Sequence, residues 1–112
     1  MAIIATRTLS TALGNMRVEL DAPARLDHDY ACVYRLIGPR TQKRGRAMGI
    51  DGFQALQLAL ERIAADLRAS PEFEAGPLQW LDMHHPGFRL PEVIGDLGWT
   101  PSATGASGDP RA

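Results

Sequence analysis

Hydrophobic and polar positions change period partway along this chain, and the change separates a sheet from a helix. From Asn15 to Asp21, Met16, Val18 and Leu20 alternate with Arg17, Glu19 and Asp21, the period of a strand with one dry and one wet face. From Gly49 to Arg68 the period lengthens. Phe53, Leu56, Leu60, Ile63 and Leu67 recur at steps of three and four, which places them on one stripe of a helix predicted to pack along its length. Asp51 is a good N-cap, Gln54 three residues later completes a capping box, and Gly49 and Gly52 let the chain turn in. Ser70-Pro71 stops the helix, because the residue before a proline is pushed out of helical geometry. An aspartate at Leu60 is therefore expected to unfold the domain.

The flanking segments fit the same plan. Ile3 to Leu9 reads as a first strand of no clear facing, followed by turn residues from Thr11 to Asn15. Ala22 to Asp29, with a proline and several charges, reads as a loop. Tyr30 to Ile37 is apolar at nearly every position and reads as a central strand. Gly38-Pro39 ends it, and a fourth strand runs from Lys43 to Ile50. Ser70 to Pro77 reads as a linker and Leu78 to Met83 as a last short strand. From His84 on the pattern is irregular, with Phe88, Leu90, Val93, Ile94, Leu97 and Trp99 expected to pack back and a helical turn from Pro91. The predicted class is α+β: an antiparallel meander of three to four strands with one long helix on one face. Residues 1–100 form a single domain, and 101–112 a disordered tail.

Composition narrows the function. The 112 residues carry a net charge of −1, whereas generic nucleic-acid binding needs a marked basic excess, so nucleic acid is a disfavoured partner. Cys32 is the one cysteine, which excludes an intramolecular disulfide. With a start, MAIIATRTLS, unlike a secretion signal, and no apolar run of membrane-spanning length, the expected place is the cytoplasm, without a membrane partner.

Candidate chemistry is sparse. Asp82, His84 and His85 are ligand types for zinc or nickel, but adjacent histidines diverge and the spacing is not that of a known site; a surface loop is the plainer account. Cys32, between apolar neighbours, reads as core and not as a nucleophile. Arg35, Arg40, Lys43, Arg44 and Arg46 have no acid among them. On neighbouring strands their alternate residues would share a face, making a positive patch for phosphate or an acidic partner, against the plainer reading of a solvated hairpin. Glu19, Asp21, Asp27 and Asp29 form an acidic counterpart, expected to be solvated.

Gly49 to Leu60, GIDGFQALQLAL, together with Gly76-x-Leu78-x-Trp80 and Gly87-Phe88, resembles a family of small, functionally uncharacterised bacterial proteins in which an arginine-rich strand feeds a Gly-x-Asp-x-x-Gln-Ala-Leu helix. The resemblance implies a bacterial origin and a compact α+β fold, and no activity. The residues support first a non-enzymatic protein-interaction module, such as an immunity-type or accessory protein, with no cofactor and another protein as partner. A metal-dependent or histidine-using enzyme at Asp82, His84 and His85 is the alternative, and a nucleic-acid binder through Arg35–Arg46 the second. Homodimerisation is compatible with all three.

Overall fold

Short turns between successive alternating stretches favour antiparallel pairing of strands close in sequence. The computed structural model describes residues 2–89. Five strands, β1 (Ile3–Thr11), β2 (Gly14–Asp21), β3 (Ala24–Leu26), β4 (Asp29–Ile37) and β5 (Gln42–Gly49), precede helices α1 (Gly52–Arg68) and α2 (Pro71–Ala75). All pairings are antiparallel. Strand β5 takes one edge of β4 over its length, so β2 and β3 share the other edge end to end. Ala22 and Pro23 fall at the break between them, where a missing backbone N–H is tolerated. The class is the expected α+β meander with a helix on one face. It has five strands, not three or four, because part of the segment read as a loop, β3, pairs with the start of β4.

Alternation along the strands divides the sheet into two faces. On the helix side Leu9, Met16, Val18, Leu20, Cys32, Tyr34, Leu36 and Ala47 are buried, against Ala55, Ala59, Ile63, Ala64 and Leu67 of α1. Cys32 is fully buried and its thiol donates to the Asp21 carbonyl at 3.4 Å. Burial pushes that thiol's pKa up, and the nearby Asp21 carboxylate adds to the rise, so Cys32 is a core residue and not a thiolate nucleophile.

The buried face of α1 differs from the predicted stripe. Ile63 and Leu67 are fully buried and Leu56 is half-buried, but Phe53 is 80 % exposed and Leu60 37 % exposed. The helix instead presses Ala55 and Ala59 onto β5. The reason is Gly49: a Cβ there would lie 2.4 Å from the Ala55 backbone nitrogen, so helix and strand touch nearly backbone to backbone. The helix start follows the expected cap, with a shift of one residue. Asp51 Oδ1 accepts from the Gln54 N–H at 2.8 Å, and Gln54 Oε1 accepts from the Ile50 N–H, one position before the cap, at 2.8 Å.

The expected linker after α1 contains α2. Ser70 caps it by accepting from the Phe73 N–H at 3.2 Å, and Pro71 takes its first position. This turn carries Glu72 inward, where it is fully buried and accepts from the Arg40 N–H at 2.7 Å and the Thr41 hydroxyl at 2.5 Å. Glu72 therefore pins the β4–β5 turn to the helices. The expected last strand is reduced to two isolated bridges, Ser10 with Gln79 and Trp80 with Met83. The helical turn from Pro91, the packing of Leu90, Val93, Ile94, Leu97 and Trp99, and the 1–100 and 101–112 boundaries lie outside the described residues. Among those described, no helix is long and apolar enough to cross a membrane.

Ile63→Ala should lower unfolding free energy by about 2–5 kcal/mol in urea titration, whereas Phe53→Ala should stay within about 0.5 kcal/mol of the parent. Leu60→Asp should leave a folded domain, since a carboxylate at that rim reaches water. Glu72→Gln keeps the shape but turns an amide N–H2 toward the Thr41 hydroxyl or the Arg40 N–H, and should cost about 1–3 kcal/mol.

Candidate functional site at the β5 edge

The wet face of the sheet is built by the residues that alternate with the core. Antiparallel register sets Glu19 beside Arg35, Arg35 beside Arg44 and Val33 beside Arg46. Arg35 is the hub. Its Nε donates to Glu19 Oε1 at 3.0 Å and its Nη1 to Asp21 Oδ2 at 3.2 Å, while Nη2 donates to Asp21 Oδ1. Arg17 Nε reaches the other Glu19 oxygen at 2.8 Å. The forked guanidinium thus meets Asp21 with two parallel bonds.

These contacts shift the titrations in a consistent sense. The Arg35 hydrogen bonds hold the Asp21 carboxyl below its usual range against an opposing effect of burial, with Arg35 and Arg44 adding a weaker charge effect. Glu19 is lowered by hydrogen bonds from Arg35 and then Arg17, and Arg35 is raised by Asp21 and Glu19. Burial would raise Glu72, but the Thr41 hydroxyl, the Arg40 N–H, its own N–H and the Arg40 charge together leave it lowered. Asp21, expected to be solvated, is 1 % exposed. It lies beneath the Arg35 fork, an effect of neighbouring strands that alternation within β2 does not reveal.

The five cations expected to act together are divided by the pleat. Arg35 is neutralised by Asp21 and Glu19. Lys43 points to the helix side, where its Nζ meets Asp66 Oδ1 at 2.9 Å, and Arg40 sits in the turn, its backbone bound by Glu72. Arg44 and Arg46 remain on the wet face, exposed, with no ion-pair partner among the described residues. Tyr34, the aromatic nearest the cations in sequence, faces the helix instead and is fully buried, its hydroxyl donating to Asp66. No aromatic of β4 is therefore available on the wet face to stack on a base.

Asp82, His84 and His85 are not drawn together as a metal-binding trio. Among the described residues no three His, Cys, Asp or Glu side chains come together to hold a metal. His85 Nδ1 accepts from the Gly87 N–H at 3.2 Å, which commits that nitrogen to the loop itself. Asp82 and His84 are exposed.

What remains is an edge. Among the described residues strand β5 pairs with β4 alone, and its outer margin runs beside α1 along a groove of about 420 Å³ lined by Arg46, Ala47, Met48, Leu58, Glu61, Arg62 and Ala65. A strand edge next to a helix, with unpaired cations at its rim, can receive an extended segment. A family model for a domain of unknown function, DUF6968, matches residues 5–91. The chain belongs to this family. The match begins within β1 and spans the other four described strands and both helices of the DUF6968 domain. Neither the curated proteins nor the solved structures contain a match.

Because the native pKa values of Asp21, Glu19 and Glu72 lie below the unfolded ones, their contribution to stability is whole above about pH 5 and is lost as pH falls through the native values. Urea midpoints of the DUF6968 domain should therefore fall steeply below about pH 4. Asp21→Asn should flatten that acid limb and lower stability at pH 7 by about 1–3 kcal/mol.

Proposed function

We propose that this DUF6968 domain is a non-enzymatic protein-interaction module of a bacterial cytoplasm, of the immunity or accessory type, that receives an acidic extended segment of another protein along β5. The observation that carries this reading is the open β5 edge beside α1, rimmed by Arg44 and Arg46. Backbone groups of an edge strand supply sequence-independent hydrogen bonds, and alternate side chains supply selectivity. The same rim argues against a second copy as partner. Antiparallel pairing of two β5 strands would bring Arg44 and Arg46 of one protomer beside those of the other, and like charges directly opposite destabilise a strand pair.

Nucleic acid is a poorer fit. Arg17, Arg35, Arg44 and Arg46 share the wet face with Glu19, Asp21 and, at the start of β4, Asp29, so the excess is about one charge, a weak footprint for displacing phosphate counterions.

The test is affinity capture from native cytoplasm with the wild type and with Arg44→Glu/Arg46→Glu as parallel baits. A partner should be recovered with the wild type and bound at least about tenfold more weakly by the double variant, while melting temperatures stay within a few degrees. Hydrogen exchange on the complex should show new protection at the amides of β5. Protection confined to other strands would rule the β5 edge out.

A further inference from the structure

Helix α1 covers β4 and β5, leaving the helix-side surface of β1 to other groups. There, opposite Val18, stands Arg7, a cation on the dry face of a strand. Its guanidinium carbon lies 3.7 Å from the centroid of the Trp80 ring and 4.9 Å from that of Phe88. Its Nη1 donates to the Pro86 carbonyl at 3.2 Å. Gly87, at φ +81°, lets the chain close over this stack, since a Cβ there would come within 2.5 Å of Arg7 Nη1 and 2.7 Å of Trp80 Cε3.

No carboxylate among the described residues lies within ion-pair distance of Arg7, and burial lowers its pKa. Aromatic faces compensate a desolvated guanidinium in part, but four of its five N–H donors have no partner in the protein among the described residues.

Beside Arg7 opens a slot of about 160 Å³ whose walls are Ala5, Val18, Leu20, Leu60 and Ile63. The slot shares Arg7, Leu60 and Phe88 with a wider cleft of about 550 Å³ that also holds Glu61 and Arg89. An apolar slot of about 150 Å³ suffices for a benzene-sized body, and a planar guanidinium at its mouth matches a carboxylate in shape and charge. Glu61 on the rim repels a second negative charge.

We propose that Arg7 and this slot bind a small amphiphilic monocarboxylate with a compact aromatic or branched aliphatic body. The apolar body fills the space between Leu60 and the β1–β2 surface, and the carboxylate takes the free N–H groups of Arg7. This site lies on the opposite face of the sheet from Arg44 and Arg46, and stands independently of the protein-interaction reading.

The experiment titrates the full chain with phenylacetate and 4-methylpentanoate, with the primary amides of both acids, and with a short peptide ending in a free leucine carboxylate, following methyl resonances and calorimetry. The acids should saturate with a dissociation constant of about 1 mM or tighter, the amides at least about tenfold weaker, with shifts at Ala5, Val18, Leu20, Leu60 and Ile63. Arg7→Gln should abolish the preference for acid over amide. Leu60→Trp fills the slot from an exposed helix position, and should abolish binding while the melting temperature is kept, so the test survives even if Arg7→Gln fails to fold. Equal binding of acid and amide, a preference retained by Arg7→Gln, binding by the peptide alone, or no saturation at about 10 mM, where a 1 mM ligand would be nine-tenths bound, would each overturn the proposal.

Discussion

Helix α1 rests on a strand that presents almost no side chain to it over residues 45, 47 and 49, where β5 carries glycine, alanine and glycine. Both glycines are needed for space. A Cβ on Gly45 would sit 2.4 Å from the Tyr34 ring, and one on Gly49 2.4 Å from the backbone of Ala55. With so little between them, helix and strand approach closely, and the residues able to occupy that gap are the small ones, Ala55 and Ala59, while Ile63 and Leu67 enter the thicker part of the core. Dispersion across a close contact compensates for the small area each alanine buries.

That approach also decides what is left open. A helix seated over β4 and β5 leaves the helix-side surface of β1 to other groups, so Leu60 overlooks an apolar slot there, and the stretch from Gln79 to Phe88 returns to cover part of it. Arg7 belongs to this half of the molecule. It joins β1 to the returning chain through aromatic rings and one carbonyl, where an aliphatic side chain in its place would leave no charge at the mouth of the slot.

Charge inside the domain is used locally. The Arg35 fork holds Asp21 and Glu19 across two strands, and Glu72 holds a turn thirty-odd positions earlier in the chain. Once these and the Lys43–Asp66 pair are formed, the wet-face cations without an ion-pair partner among the described residues are those of β5. The surface that singles out β5 is thus what remains after internal pairing, and it lies on an edge that no other described strand pairs.

Much of the architecture was legible in the chain itself, because the period of apolar positions and the chemistry of caps and turns are local. The alternation from Met16 to Leu20, the apolar run from Tyr30 to Ile37 and the Asp51–Gln54 cap identify sheet, central strand and helix start without tertiary information. Ser70-Pro71-Glu72 was a legible helix start as well, although read as a linker. An arginine between Ala5 and Leu9 was the available signal for Arg7. Which side of α1 is buried, that Asp21 and Glu72 lie inside, and that Lys43 parts from Arg44 and Arg46 were decided only by the fold. Those outcomes depend on how closely two backbones approach and which face each strand shows its neighbour, and distances between elements far apart in sequence are set by packing, not by local pattern.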